Sequence, residues 1–507
     1  MNIGIDLGTT NTVVAWMNMF GNIDFLKFDD DCITLPSCIY YDRGNIITGN
    51  QALLKSTENP SGFISDSKVY MDDRTKSWDI EGKRFKPEDV AFEILKKVKK
   101  TLIQKFPDEN TFNAVITVPA KFGEDQIRRT TSALKRAGIG LIEVMKEPVA
   151  ATLAFNDDSF RPGDKVYVID FGGGTADAAL IELEGNDGIT DLSVIAANGN
   201  RHLGGQDLDK VISDFIFDQL KSCSGQNISD ENTTWGTSRK QIRQIIMNIS
   251  AQAKKKLLKK SSVSDEPVII YDDYICSICE KKTDCPKKCR FQVELAYDEF
   301  ISAADDIYQK FTDLIISENI MSHKIDHVIF VGGMSSDPYL RHFVESTFSE
   351  STVIFASDVQ KENRYLTVVA RGAAIKAYDE SIHVVNKILN SLGIICRKKD
   401  GTRYIDPVIS SGTDIDTGFE SRHIYTNNGR FETEISFELY EYNGEPDDFN
   451  NLEYRKIGSF TFNDIKPMDT GRQKIEAFFS FDSKGMLTLR ASDMNEHNQS
   501  IDVGFEI

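Results

Sequence analysis

The stretch VYVIDFGGGTAD, Val166–Asp177, runs an apolar segment into an aspartate, three consecutive glycines, a threonine and a second aspartate. Glycine loses more backbone entropy on folding than any other residue, so packing alone is a poor reason for keeping three in a row. Two readings fit the pattern. One is a tight hairpin. The other is a loop whose bare backbone brings N–H groups against an anion, with polyphosphate the usual guest. The N-terminus bears on the choice, because NIGIDLGTTNT, Asn2–Thr12, repeats the plan of strand, aspartate, glycine and paired hydroxyls. Asp6 and Asp170 end their strands; Gly8, Thr9, Thr10 and Asn11 follow the first, and Gly172, Gly173, Gly174 and Thr175 the second. Two such loops, from two halves of one chain, can close on one phosphate tail with a metal between the carboxylates. Magnesium suits that place, since it favours oxygen ligands and keeps much of its water. Neither GxxxxGK[ST] nor a dinucleotide fingerprint occurs.

A chain of 507 residues with 40% hydrophobic residues can bury large cores and predicts two or three domains. Its formal charge of −19 argues against sequence-independent nucleic-acid binding and against anionic membrane surfaces. No apolar run approaches the roughly 20 residues of a membrane span. Strand-like sequence from Asn2 leaves no signal peptide, so the expected location is cytoplasmic. Of eight cysteines, Cys276, Cys279, Cys285 and Cys289 cluster in CSICEKKTDCPKKC. The scattered Cys32, Cys38, Cys223 and Cys396 read as small buried hydrophobes.

Residues 86–106 place Ala91, Ile94, Leu95, Val98 and Leu102 on one helical face, with Pro87 near the start. FNAVITVP reads as a buried strand, EDQIRRTTSALKRAG as a helix ending at Gly138, and IDHVIFVGG as a strand running into Gly332 and Gly333. Strands and helices alternate to about residue 378, which predicts α/β architecture with the site at the sheet ends. Beyond 388 no amphipathic helix is legible. FETEISFELYEY alternates, with Phe431, Ile435, Phe437 and Leu439 on one face, and FFSFDSKGMLTLRASD reads as a hairpin turning at Asp482–Gly485. An all-β domain therefore follows the α/β one.

These residues resemble the seventy-kilodalton heat-shock chaperone family, within the actin and sugar-kinase-like ATPase superfamily. IGIDLGTTNT, AVITVPAKF, KEPVAATLAF, VIDFGGGTAD, NGNRHLGGQDLD, VIFVGGMSSDP, ARGAAIKAY and FDSKGMLTLRASD carry the resemblance, in order, over nearly the whole chain. It implies a two-lobed ATPase domain over 1–380 with a cysteine-rich insertion at about 274–291, a linker at 381–387 and a β-sandwich peptide-binding domain at 388–507. It also implies ATP or ADP in the cleft, with hydrated magnesium held by Asp6 and Asp170. Lys68 matches the lysine that positions the attacking water, and Glu147 of KEP the carboxylate that completes the catalytic cluster. Asp177, Gly204, Gly205, Lys254, Lys255, Gly332 and Gly333 complete the implied nucleotide site.

The sequence departs from the family pattern in several places. On the adenine side Ala251 stands for a glutamate, Leu258 for a serine and Ser336 for an arginine that stacks on the base, a contact serine cannot make. Pro119 is kept, but Lys121 and Ile127 replace a tyrosine and an arginine, and the linker reads IHVVNK, with Asn386 in place of aspartate. The C-x2-C-x5-C-x3-C cluster has no common counterpart; four thiols in that spacing suit structural zinc, with an iron–sulfur cluster the next option. The expectation is a member without the helical lid that the resemblance implies after the β domain. The expected function is ATP-dependent binding and release of unfolded or extended polypeptide, with slow ATP hydrolysis and with J-domain and nucleotide-exchange cochaperones as partners. A nucleotide-gated adaptor for one dedicated partner is the alternative, and a filament-forming or small-molecule-kinase relative a further one.

Overall fold

The computed structural model describes residues 1–155, 160–185, 189–200, 202–224, 239–261, 267–271, 292–358 and 364–505. Within the last range it omits 386, 389, 399, 415–418, 428, 444–445, 447–452, 464, 482–486 and 495–499. The chain divides into two compact units. One holds 1–122, 126–190 and 197–382; the other holds 123–125, 191–196 and 383–507.

The first unit repeats one sheet plan. In one sheet Asn2–Leu7 turns back antiparallel into Asn11–Met17, which pairs with Ile23–Phe25, while its other edge pairs in parallel with Asn113–Val118 and then Gly140–Lys146. In the second, Lys165–Phe171 turns back into Ala176–Glu184, and its other edge pairs in parallel with His327–Val331 and then Thr352–Phe355. The two glycine-containing turns therefore occupy equivalent places, each beside the carboxyl ends of parallel strands, where open α/β sheets place their ligands.

Burial explains why these strands hold. Asn113–Val118 is buried at five of six positions, as the apolar run predicts for a parallel strand covered on both faces. Helix Pro87–Lys105 lays Ala91, Ile94, Leu95, Val98 and Leu102 on the core formed with Ile3, Ile5 and Leu7. Its start is set by Pro87 in the first turn and by Asp89, whose carboxylate accepts the Lys86 N–H at 3.0 Å. Helix Glu124–Arg136 also lies where the pattern places it. One expectation fails at Cys32, which is exposed beside the acidic turn Asp29–Asp31. Cys38 is buried, which pushes its thiol up to about 12.

In the second unit two four-stranded antiparallel sheets form: Arg403–Ile409, Ser391–Arg397, Ile435–Asn443 and Glu453–Phe462, then Glu420–Thr426, Lys474–Phe481, Leu487–Asp493 and Ser500–Phe505. Leu392, Ile394, Phe437, Leu439, Phe460, Ile475, Phe479, Leu487 and Leu489 fill one core between them, as period-2 alternation requires. Asp406 ties the edge strands together, accepting from His423 Nδ1 at 2.9 Å and from the Tyr425 hydroxyl at 2.8 Å. Residues 191–193 of this unit pair in parallel with His383–Val385. Phe431 corrects the sequence reading. It precedes the strand, takes a left-handed φ of 59° and is 63% exposed, because the turn before Ile435 reverses its side chain away from the core. The turn expected at Asp482–Gly485 falls wholly within 482–486, outside the described residues. No helix among the described residues is long and apolar enough to cross a membrane.

Candidate functional site

Both glycine loops are hairpin turns, and both line one cavity of about 1110 Å3 in the first unit. Gly8 N–H donates to Asn11 O at 3.0 Å, and Gly172 N–H donates to Thr175 O at 3.0 Å, so each loop is closed by the same bond. The hairpin is thus the observed form of both loops. The loops also meet. A Cβ added at Gly173 would lie 2.2 Å from Thr10 Oγ1, and one at Gly174 would lie 3.0 Å from Thr9 Cγ2. Close approach of the threonine side chains of one loop to the backbone of the other, rather than turn strain, is why these positions are glycine.

A third backbone segment closes on them. Gly205 N–H donates to Gly172 O at 3.0 Å and Gln206 N–H to Gly173 O at 2.7 Å, while a Cβ at Gly204 would lie 2.7 Å from Gly173 O. Helix Gly205–Ser224 starts here. At the end of His327–Val331, Gly332 has φ 80°, and a Cβ there would lie 2.3 Å from Phe171 O. Gly333 lines the cavity with open space about its Cα.

The charged groups come from separate elements. Lys68 sits in the short turn Ser67–Tyr70, is buried, and donates to Glu147 Oε1 at 2.5 Å. Glu147 is the first residue of helix Glu147–Ala154, directly after the parallel strand Gly140–Lys146. Asp6 and Asp170 line the same cavity with them. Asp177 pairs in register with Asp170 across the hairpin. It stands outside the cavity lining, as do Gly174 and Gly204. Thr117 donates to Asp6 Oδ1 at 3.4 Å.

Two members of the site went unassigned in the sequence. Asp209 is buried and holds Lys254 Nζ at 2.9 Å, and Lys254 also donates to Gly205 O. Gln206 Nε2 donates to Asp66 Oδ1 at 2.7 Å, linking the third backbone segment to the turn that carries Lys68. Both Gln206 and Asp209 lie in the motif NGNRHLGGQDLD, whose aspartate one helical turn after Gly205 was the available signal. Lys255 lines the cavity as an exposed side chain. The four clustered cysteines, Cys276, Cys279, Cys285 and Cys289, lie outside the described residues.

The site carries excess negative charge. Asp6, Glu147, Asp170 and Asp177 face one another's fields, and Lys68 is the cation that acts on all three aspartates. Burial, then the Glu147 charge, raises Asp6 to about 7; burial and Glu147 likewise raise Asp177 to about 7, and Asp170 moves well above the usual carboxylate range. Such a set fits a hard cation. Magnesium is such a cation, favouring oxygen ligands and keeping much of its water.

A pH dependence follows. A carboxyl whose folded pKa is raised binds more protons folded than unfolded, so its contribution to stability is full below its unfolded value and is lost as pH rises through the folded value. For Asp6 and Asp177 that window runs from 3.8 to about 7. Metal-free, nucleotide-free protein should therefore melt at progressively lower temperature from pH 5 to pH 8, and magnesium with nucleotide should flatten the trend. A melting temperature that rises over this range without metal would contradict the electrostatics.

The Hsp70 protein family model matches residues 2–78 and 68–504. The chaperone protein DnaK of Thermosipho melanesiensis is 28% identical over 509 residues, spanning 97% of this chain and 78% of its own. That of Thermotoga neapolitana is 29% identical, with 97% and 78% covered, and that of Nitrosopumilus maritimus 27%, with 98% and 74%. With the family model covering both the α/β unit and the β sandwich, the chain belongs to the Hsp70 family.

Proposed function

We propose that this chain is an ATP-dependent chaperone that binds and releases extended polypeptide, with hydrolysis in the cleft between the two glycine loops. The observation that carries the chemistry is the buried Lys68–Glu147 pair, 2.5 Å apart, facing Asp6 and Asp170 across loops built for close backbone approach. In this reading Gly8–Asn11 and Gly172–Thr175 hold the phosphates. Lys68 opposes charge on the transferring phosphoryl group and Glu147 orients the attacking water. Asp6 and Asp170 would hold magnesium through its water, and the ion would supply positive charge against the phosphate oxygens. Lys254, fixed by Asp209, braces Gly205 and with it the second loop.

The second unit supplies the polypeptide site. Sandwich edges and loops bind extended chains through main-chain hydrogen bonds and apolar pockets. Residues 381–387 act as the linker between the ATPase and β domains. J-domain and exchange-factor cochaperones are the expected partners, and cytoplasm the expected location. The test is stopped-flow release of a labelled apolar peptide from the full chain. Release should be faster with ATP than with ADP, and the difference should vanish when Ile382, Val384 and Val385 are all changed to aspartate. Equal rates with the two nucleotides in the unaltered chain would rule out nucleotide-gated release.

The cysteine cluster adds a structural zinc to this proposal, supported by its C-x2-C-x5-C-x3-C spacing. Metal analysis should find about one zinc per chain. Cys276→Ser with Cys279→Ser should abolish it, and because a metal bound only by the folded state adds stability, chelation should lower the melting temperature. Finding iron, or no metal, would reject zinc.

A further inference from the structure

Beyond the phosphate loops the cavity continues between helix Arg239–Ser261 and the segment after His327–Val331. A triphosphate anchored on Gly8–Asn11 and Gly172–Thr175, as in the reading above, would extend its nucleoside into that end. The walls there are Ala251 and Leu258 on one side and Met334 and Pro338 on the other. Leu258 is 4% exposed and Met334 1%, so the buried surface is apolar.

The polar groups at this end are committed elsewhere or lie at the rim. Ser336 Oγ donates to Gly333 O at 3.2 Å. Arg341 is held by Asp358 through both terminal nitrogens, at 2.7 Å each, and donates to Ser357 Oγ at 2.9 Å. Its guanidinium also lies 3.9 Å from the centre of the Phe355 ring. Lys255, Lys259, His342 and Glu345 are exposed side chains. Their exposure leaves them in contact with water at the rim.

Base selection depends on that distinction. A site with fixed, buried polar groups rejects the wrong ligand strongly, because the mismatch strands those groups without partners; an apolar pocket discriminates far less between ligands of similar size. Adenine and guanine are both planar bicycles that differ in the polar groups at their edges. Resting on the nucleotide reading above, we propose that this cleft grips the purine by apolar contact without reading its edge, and takes ATP and GTP with affinities within about tenfold of each other.

The test is calorimetric titration of the full chain with ATP and with GTP, each with magnesium. Dissociation constants within about tenfold are expected. A larger preference for either nucleotide overturns the base-tolerant reading and leaves the phosphate loops standing. Failure of both to bind removes the nucleotide reading itself. Leu258→Gln puts a buried amide into the wall and should widen the ATP-to-GTP ratio at least about fivefold, whereas Leu258→Ala should weaken both alike. An unchanged ratio in Leu258→Gln, with binding retained, means this wall does not touch the base and overturns the placement.

Discussion

Lys68→Met should lower the single-turnover rate of ATP hydrolysis by about a hundredfold or more while leaving the protein folded. The side chain is 8% exposed, and its amine lies 2.5 Å from Glu147. Its amine lies 5.7 Å from the centre of the Phe122 ring, and methionine, unbranched and adaptable, fills most of the same space while removing the charge. A preorganised cation in a water-poor cleft stabilises developing charge far better than water can, and that is the contribution lost. Asp170→Asn should also impair hydrolysis, through the metal, and it has an opposite signature in stability. Burial and neighbouring carboxylates already oppose ionisation of Asp170. A neutral amide of the same shape relieves that repulsion, so metal-free Asp170→Asn should melt higher than the unaltered chain at pH 8. Single-turnover rates unchanged in both variants would refute the assignment of this cleft as the hydrolytic site.

The second large effect is expected from backbone packing rather than from charge. Gly372 lies in helix Arg364–Tyr378, and a Cβ there would stand 1.7 Å from the Ala150 carbonyl oxygen. On the same helix Ala374 N would stand 2.2 Å from a Cβ at Gly4. Helix, helix and strand are thus in backbone contact, and these backbone atoms cannot swing aside as a side-chain tip would. Overpacking a core usually costs about 1–3 kcal/mol. Here the contact is with backbone, so Gly372→Val should cost at least about 3 kcal/mol in urea unfolding. Ala150 belongs to the helix that begins at Glu147, so the displacement should also carry Glu147 off Lys68 and slow hydrolysis in whatever protein folds. Gly123→Ala is the control, since a Cβ there meets nothing within 4 Å and φ is not in the left-handed region. A loss below about 1 kcal/mol in Gly372→Val would show that the helices can part cheaply.

Much of this protein is written in local pattern. The period of Ala91, Ile94, Leu95, Val98 and Leu102 sets a helix found at Pro87–Lys105, because one apolar stripe has one way to face a core. Alternation at Ile435, Phe437 and Leu439 sets a strand for the same reason at period 2. The loops Gly8–Asn11 and Gly172–Thr175 were legible too, since few backbones other than glycine-rich ones permit such approach.

Local pattern failed where a residue's neighbours come from distant sequence. Phe431 continues an alternating run, yet a left-handed turn takes it out of the core. Cys32 has the composition of a core residue and lies exposed beside an acidic turn. Asp209 sits in plain view in its motif, but only the packing of two helices brings it to Lys254. By itself the sequence determined the two domain classes, the paired glycine loops and the carboxylates at their strand ends, because these depend on periodicity and on backbone freedom within a few residues. Tertiary structure alone decided that Lys68 meets Glu147 from 79 residues away, that Gly372 must lack a side chain, and that the far end of the cleft is apolar. Those facts are set by which surfaces come together once the chain has closed, and no window of neighbouring residues contains them.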